Sequence, residues 1–232
     1  MKLVLCLLVL AVSLSMASVT ADVEGTSETT WSSGDAEVIL WEQPQTGGAQ
    51  GSQYFTDMYP DYDAGVADDF MFPTSTNCNR IKWWGGYWNS SEPFPIVAPV
   101  EIYLYLDDGT GTSPTLPQHS SAIQSWMIPV GDYDEVADLD NFLCTYDFPA
   151  IVVFDANVTY WVEIRKAYAF DPYGQYGFVE SAPGFLAPCV QGFDGLGIDW
   201  WTARDTDAAF ELIYIPPPAL ERSTWAEIKT IF

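Results

Sequence analysis

The chain has 232 residues, and its 32 Asp and Glu residues against 8 Lys and Arg residues give a formal net charge of −24 at pH 7. Such a negative field repels phosphate groups and anionic lipid headgroups, so we expect no binding to nucleic acids or to membrane surfaces. The same charge favours solubility and the binding of cations, and a salt-rich habitat would also produce it.

Residues 1–21 have the pattern of a secretory signal peptide. A short charged start at Met1 and Lys2 precedes an apolar run over 3–12, and small residues follow at 17–21. The apolar run is shorter than the about 20 residues that a membrane-spanning helix needs. We therefore expect cleavage, a secreted or cell-surface protein, and no membrane insertion after cleavage.

Residues 22–35 are rich in Thr, Ser, Glu and Gly and are predicted to form a flexible arm. A single domain is predicted over 36–215, where short apolar stretches rich in β-branched and aromatic residues alternate with clusters of Gly, Pro, Asn and Asp. The predicted strands cover 36–41, 52–55, 66–72, 80–88, 100–106, 122–128, 142–148, 152–154, 158–165, 175–179 and 208–215. No long 3.6-residue apolar period occurs between them, so we expect an all-β domain, a two-sheet antiparallel β-sandwich of the jelly-roll type.

The segment 80–88 reads Arg-Ile-Lys-Trp-Trp-Gly-Gly-Tyr-Trp. Alternate side chains of a strand point to opposite faces, so Trp84 and Trp88 share the face of Lys82, and Trp83 belongs to the other. Because lysine marks the solvent side, this strand is predicted to present large aromatic groups where a ligand can reach them.

Two further strands place aromatic side chains beside polar ones. In 100–107, Tyr103 and Tyr105 alternate with aliphatic residues and share a face with acidic residues. In 158–165, Trp161 shares a face with Thr, Glu and Arg residues. Both strands therefore carry aromatic groups on a face that their polar neighbours mark as solvent-facing.

Together these strands predict a ligand-binding face formed by Trp84, Trp88, Tyr103, Tyr105 and Trp161. Flat rings flanked by charged groups suit sugars, since the rings stack on apolar sugar faces and the charged groups bond with hydroxyls. The alternative is structural: a loop, the C-terminal tail or a neighbouring domain covers these aromatic side chains.

Three cysteines, Cys78, Cys144 and Cys189, follow the predicted signal peptide. Because disulfides persist outside the cytoplasm, we expect one disulfide and one buried free thiol, with the pairing left open. Cysteine catalysis is disfavoured, since the only histidine, His119, lies in a predicted loop.

Acidic residues cluster in several turns, and no cluster matches the EF-hand loop. Calcium prefers six to eight oxygen ligands, which turns rich in Asp and Gly supply. A structural Ca²⁺ is predicted at Asp68, Asp69 and Asp207, because they flank early and late strands that a jelly roll brings together. The alternative is that these carboxylates are solvated turn residues.

No catalytic signature occurs in the chain: there is no Gly-x-Ser-x-Gly elbow, no metal-binding histidine pair and no phosphate-binding glycine loop. A pair of carboxylates could serve a glycosidase, but among 32 acidic residues such a pair is uninformative. We therefore predict no catalytic residues.

Residues 216–232 form the predicted tail. Pro216, Pro217 and Pro218 cannot join a central strand, and Thr224 and Glu227 have the spacing of a helix capping box. A short C-terminal helix is expected, either docked on the sandwich or used as a recognition tag.

Four motifs together resemble uncharacterised secreted bacterial β-sandwich proteins: Ala-Asp-Asp-Phe at 67–70, Trp-Trp-Gly-Gly-Tyr at 83–87, Tyr-Trp at 160–161 and Asp-Ala-Ala-Phe at 207–210. Residues 223–229 also resemble the C-terminal ends of such exported proteins. The resemblance implies an extracellular location and a jelly-roll-like sandwich, as in carbohydrate-binding modules, and it implies no catalytic residues.

The sequence therefore predicts a secreted, non-enzymatic module that binds a polysaccharide or another surface partner. The first alternative is a structural cell-surface protein that assembles with its own kind. A glycoside hydrolase is the third hypothesis.

Overall fold

The computed structural model describes residues 36–57, 62–116, 119–193 and 198–217, which are built from β-strands. The strands are β1 (Val38–Glu42), β2 (Gln45–Gly51), β3 (Gln53–Phe55), β4 (Ala64–Met71), β5 (Thr76–Trp88), β6 (Val100–Leu106), β7 (Gln124–Ile128), β8 (Asp134–Asp138), β9 (Asn141–Phe154), β10 (Thr159–Tyr168), β11 (Gln175–Ser181), β12 (Val190–Phe193), β13 (Ile198–Ala203), β14 (Asp207–Ala208) and β15 (Phe210–Tyr214). Within these ranges no helix is long and apolar enough to cross a membrane.

The strands form two sheets. The first has eight strands. Five of them follow the order β1-β15-β5-β11-β14; in addition, β2 pairs with β11, β9 pairs with β5, and β8 pairs with β9. The second has seven strands in the order β13-β12-β4-β3-β10-β6-β7, with an additional pairing of β4 with β10. The pairings are mostly antiparallel, and β3 runs parallel to β10. The predicted all-β class with two mostly antiparallel sheets is confirmed.

Strand β5 lies at the centre of the first sheet and is paired along both edges. One edge pairs with β9, and the other pairs first with β15 and then with β11. Ile81 and Trp83 point inward and are fully buried, as the alternation predicts. At Gly85 a Cβ atom would lie 2.5 Å from a carbon of the Tyr176 ring, so this position requires glycine.

The main core lies between the two sheets and takes side chains from both. Phe70 of β4 packs edge-on against Phe154 of β9, with 4.9 Å between ring centroids. The fully buried members include Val66, Phe70, Ile81, Trp83, Val100, Ile102, Ile164 and Phe210. Full burial of one such aliphatic or aromatic side chain is worth roughly 1.5–3 kcal/mol, so these inner faces hold the sheets together.

Strand boundaries differ from the prediction where the sequence lacks a clear pattern. The predicted strands 142–148 and 152–154 are one strand, β9, whose pairing with β5 is irregular near Pro149. Strands β2, β8, β12 and β13 were not predicted. The sequence of β2 is rich in glycine and that of β8 is rich in acidic residues, and both compositions are unfavourable in strands.

Several predictions fall outside the described residues. These are the signal peptide over 1–21, the flexible arm over 22–35 and the C-terminal helix within 216–232. The jelly-roll type stays a prediction.

The predicted disulfide is not formed, because Cys78, Cys144 and Cys189 are all free and buried. Cys78 of β5 pairs with Val152, whereas Cys144 of β9 pairs with Trp83, five positions further along β5. At about 3.3 Å per residue this separation far exceeds the about 7 Å between Cα atoms that a disulfide tolerates. Cys189 lies beside β12 in the second sheet.

The buried thiols should be inert in the folded protein. Burial raises the pKa of Cys78 to about 11, so its reactive thiolate is scarce at pH 8. We expect thiol-specific reagents to leave all three cysteines unlabelled in native protein and to label all three in denaturant without a reductant, as read by peptide mass mapping. A pair that resists labelling in denaturant until it is reduced would contradict the free-thiol assignment.

Candidate functional site

The five aromatic residues of the predicted ligand-binding face are divided between the two sheets. Trp84 and Trp88 lie on β5 of the first sheet. Tyr103 and Tyr105 lie on β6 of the second sheet, next to Trp161 of β10, and Trp161 pairs with Tyr105. The structure therefore brings three of the five together and separates them from the other two.

The cluster on the second sheet is covered. Tyr105 and Trp161 are 0% exposed and Tyr103 is 8% exposed. They pack with Ala67, Ala187, Val190 and Trp201. The ring of Tyr105 meets that of Trp201 edge-on at 5.9 Å between centroids. These three aromatic groups thus form a second, smaller core on the outside of the sheet rather than an open face.

A buried carboxylate lies within this covered cluster. Glu163 of β10 is 0% exposed; its Oε2 accepts a hydrogen bond from the Tyr105 hydroxyl at 2.6 Å, and its Oε1 lies 3.1 Å from His119 Nε2. Gly65 makes room for this carboxylate, because a Cβ atom at position 65 would lie 1.7 Å from Oε1. The imidazole of His119 also packs against the ring of Tyr103, with 4.3 Å between ring centroids and the ring planes tilted by 33°.

The charge of Glu163 is maintained by its partners. Burial raises its pKa, but the hydrogen bond and charge of His119 and the charge of Arg165 outweigh burial, so the pKa of Glu163 lies below its ordinary value. Sequence reasoning assigned His119 to a loop and missed this contact. The sequence did indicate that Glu163 shares a strand face with Trp161, and this was the signal that could have placed Glu163 in the cluster.

Trp84 is also covered. It is 9% exposed, packs with Val179 and Ala209, and donates from Nε1 to Asp138 Oδ2 at 2.6 Å. Since its ring and its only polar atom are both occupied by the protein, Trp84 serves the packing of the first sheet's outer face.

Trp88 differs from the other four because it lines an open depression, which we call the Trp88 groove. The groove consists of two cavities that share Phe55, Tyr62 and Gln175. The larger has a volume of about 340 Å³. The smaller has a volume of about 230 Å³ and is where Trp88 lies. Further lining residues include Gln53, Phe170, Gln191 and Phe193.

The polar groups of the Trp88 groove are held in place by the protein. Gln53 accepts from the amide of Tyr176 at 2.7 Å and is 2% exposed. Gln191 donates from Nε2 to the carbonyl oxygen of Gly51 at 2.7 Å. Gln175 accepts from the side chain of Asn89 at 2.9 Å. The groove is therefore pre-organised and loses little conformational entropy on binding.

The chemistry of this lining is aromatic and uncharged. Among the described residues that line the groove there is no Asp, Glu, Lys, Arg or His. Aromatic rings and fixed amide groups can stack on and hydrogen-bond to a neutral polar ligand. The described lining residues include no carboxylate pair of the kind used in glycoside hydrolysis.

The three residues of the predicted calcium site do come close together, but in the protein interior. Asp68 and Asp69 lie on β4 and Asp207 lies on β14, and all three are at most 1% exposed. Their oxygens accept from backbone amides: Asp68 from Ala208 at 2.6 Å, and Asp207 from Phe185 at 2.9 Å. Asp69 accepts from Ala187 in the same loop as Phe185, at 3.3 Å.

Burial and mutual repulsion dominate the electrostatics of this acidic cluster. Burial and the charge of Asp207 raise the pKa of Asp69 to about 7. Burial, with the charges of Asp207 and Asp69, raises the pKa of Asp68 well above its ordinary value. In the described part of the chain no three His, Cys, Asp or Glu side chains form a group that could hold a metal ion.

No protein-family model matches this chain, and no curated protein matches it significantly. The chemistry of the site itself is therefore the basis for a function.

Replacing Glu163 with Gln should destabilise the protein at pH 7 by about 3 kcal/mol, because breaking a buried charge pair costs roughly 3–5 kcal/mol. Since the folded-state pKa of Glu163 is lowered, its stabilising effect is present above the ordinary glutamate pKa and is lost as the pH falls through the lowered value. Urea denaturation at pH 7 and pH 3 should show that the difference in the free energy of unfolding between wild type and Glu163→Gln is smaller at pH 3. Exposed Glu92→Gln is the control, and equal stability of Glu163→Gln and wild type at pH 7 would contradict the assignment.

Replacing Asp69 with Asn should raise the melting temperature at pH 8 by several degrees. Because the folded-state pKa of Asp69 is raised to about 7, its stabilising contribution is present at low pH and is lost as the pH rises through 7. The difference in melting temperature between Asp69→Asn and wild type, measured by differential scanning calorimetry, should vanish near pH 4. A calcium-dependent rise of the wild-type melting temperature that Asp69→Asn abolishes would instead show that a cation neutralises the cluster.

Proposed function

We propose that this protein is a secreted, non-enzymatic carbohydrate-binding module that binds a neutral saccharide in the Trp88 groove. The observation that carries the proposal is the combination, in one open depression, of aromatic rings and amide groups, with no charged side chain among the described lining residues. Of the five aromatic residues predicted from the sequence to bind a ligand, only Trp88 is placed in this groove.

The aromatic part of the groove suits the apolar faces of sugar rings. Trp88 lies against the backbone of Gly177, where a Cβ atom would be 2.8 Å from the indole ring. Phe55 and Phe170, which also line the groove, pack together at 6.1 Å between ring centroids. Rings held in this way present apolar surface without having to be ordered on binding.

The uncharged character of the described lining residues selects against ionic ligands. In a chain of net charge −24, an anionic glycan meets general repulsion and finds no cation among the described lining residues. A neutral saccharide meets neither difficulty, and its hydroxyls match the amides of Gln175 and Gln191. The larger cavity, at about 340 Å³, also lies within the size range of small-molecule sites.

The second candidate function is assembly with other copies of the chain, which the edge strand β7 of the second sheet favours. Strand β7 ends that sheet and pairs only with β6 among the described strands. Met127 on this strand is 55% exposed, and the flanking residues Ile123 and Val130 are 50% and 51% exposed. An apolar edge with unpaired backbone groups is a template for further strand pairing.

The saccharide proposal is tested by titrating full-length protein with neutral and anionic oligosaccharides and following tryptophan fluorescence and calorimetric heat. We expect a neutral glycan to bind with little salt dependence, and Trp88→Ala to weaken it about tenfold, equivalent to about 1.4 kcal/mol. Trp88→Phe should retain most of the affinity, and Met127→Ala, remote on β7, is the matched control.

Failure of every neutral glycan to bind, or equal binding by Trp88→Ala, would overturn the proposal. Size-exclusion chromatography over a range of concentrations separates the two candidate functions. Ligand-free assembly that Met127→Lys prevents would favour self-association instead.

A further inference from the structure

A lysine lies inside the sandwich. Lys166 of β10 follows Val162 and Ile164 on the inner face of the second sheet and is 0% exposed. Lysine is almost never fully buried unless it is paired, because removing an ammonium group from water is costly. Its surroundings therefore require an explanation.

The ammonium group of Lys166 is enclosed by three tyrosine rings. Its Nζ lies 5.1 Å from the ring centroid of Tyr87, 5.3 Å from that of Tyr133 and 5.4 Å from that of Tyr176. It also donates to the carbonyl oxygen of Ile96 at 3.1 Å. These contacts hold the side chain in one place and exclude water from it.

A carboxylate of the opposite sheet meets this amine. Glu135 of β8 places Oε2 2.7 Å from Lys166 Nζ, and its side chain is only 8% exposed. The hydroxyl of Tyr87 connects the same two groups a second time, because it accepts a hydrogen bond from Nζ and donates one to Glu135 Oε1. The amine, the carboxyl and a hydroxyl that can pass a proton between them thus form a closed ring of contacts.

We propose that Lys166 and Glu135 condense to an intramolecular amide that covalently joins β10 of one sheet to β8 of the other. The two residues are 31 positions apart in the chain.

The reaction is balanced without a co-reactant. A proton passes from Lys166 Nζ through the Tyr87 hydroxyl to Glu135 Oε1, which leaves a neutral amine beside a neutral carboxylic acid. Nζ adds to Glu135 Cδ, a C–N bond forms, and a second proton from nitrogen reaches the departing oxygen. The C–O bond breaks and one water leaves, while the amide nitrogen keeps one proton. Nothing is oxidised or reduced.

Three features of the site favour this reaction over the ion pair. A buried pair of opposite charges carries a large desolvation penalty, and the neutral amide removes both charges. Burial also lowers the pKa of Lys166, which increases the fraction of nucleophilic amine, although the charge of Glu135 opposes this. In addition, fixed contact between two reacting groups replaces a bimolecular encounter and gives effective molarities up to about 10⁵–10⁸ M.

A second lysine–glutamate pair provides an internal comparison. Lys82 Nζ lies 2.6 Å from Glu37 Oε2, a contact as short as that of Lys166 with Glu135. Their side chains are 20% and 32% exposed, so water stabilises both charges. Proximity is therefore matched in the two pairs, and only the pair inside the sandwich is shielded from solvent.

Peptide mass mapping of purified full-length protein, aged at pH 7 and digested with a protease that does not require lysine, tests the proposal. We expect a branched peptide that contains both Lys166 and Glu135 and is lighter than its two linear parts by one water molecule. No branched peptide should contain Lys82 and Glu37. Linear peptides alone, with Lys166 and Glu135 unmodified after prolonged incubation, would overturn the proposal.

Two variants refine the test. Lys166→Met removes the amine and should abolish the branched peptide. Absence of the branched peptide from this variant would identify Lys166 as the residue that forms the bond. Tyr87→Phe keeps the ring packed against Tyr176, at 5.2 Å between centroids, but removes the hydroxyl. Loss of a proton-transferring group should slow formation of the amide about 100-fold or more. An unchanged rate in Tyr87→Phe would exclude the hydroxyl from the reaction. Even if a variant does not fold, the digest of the wild-type protein shows whether the amide forms.

Discussion

The pairing of β5 along both of its edges is the constraint on which the rest of the structure depends. It joins β9 on one side to β15 and β11 on the other. Its inner face fixes part of the core, where Trp83 is fully buried and donates to the Tyr176 hydroxyl at 2.9 Å. Its outer face carries Trp84 into a packed cluster and Trp88 into the groove. Because side chains alternate along the strand, a slip of one residue would exchange the two faces and destroy both the core and the groove.

The inner faces of the sheets were predictable from the sequence, because burial between two sheets imposes a simple alternation of apolar residues. Ile102 of β6 and Ile164 of β10 both lie in the main core as that alternation requires. The outer faces were not predictable to the same depth. The pattern around Tyr105 and Trp161 identifies a distinct face but contains no information about Trp201, a residue distant in sequence that packs over them. Which residues cover the outer face of a sheet depends on tertiary structure and cannot be read from the local sequence pattern.

The candidate site was likewise predictable only in part. Trp88 was predicted from its own strand, but Gln191 lies on β12, which is short and lacks a recognisable strand pattern. Lys166 was missed for a more local reason: the predicted strand ended at residue 165, whereas β10 continues to Tyr168 and turns the lysine inward. Asp69 and Asp207 lie close enough to repel each other, and both are buried. Their burial was not predictable, because Asp-rich segments usually indicate exposed turns.

The Trp88 groove takes its lining from both sheets, since Trp88 and Gln175 belong to the first and Gln53 and Gln191 belong to the second. The saccharide proposed to bind there would contact both sets, so it would bind only while the sheets are assembled. Such binding would be thermodynamically linked to folding, and ligand at 100 times its dissociation constant would add about 2.7 kcal/mol to the free energy of unfolding. In an environment rich in proteases, where cleavage follows transient opening, occupied molecules would outlast empty ones. The lifetime of the protein would then depend on the abundance of its ligand.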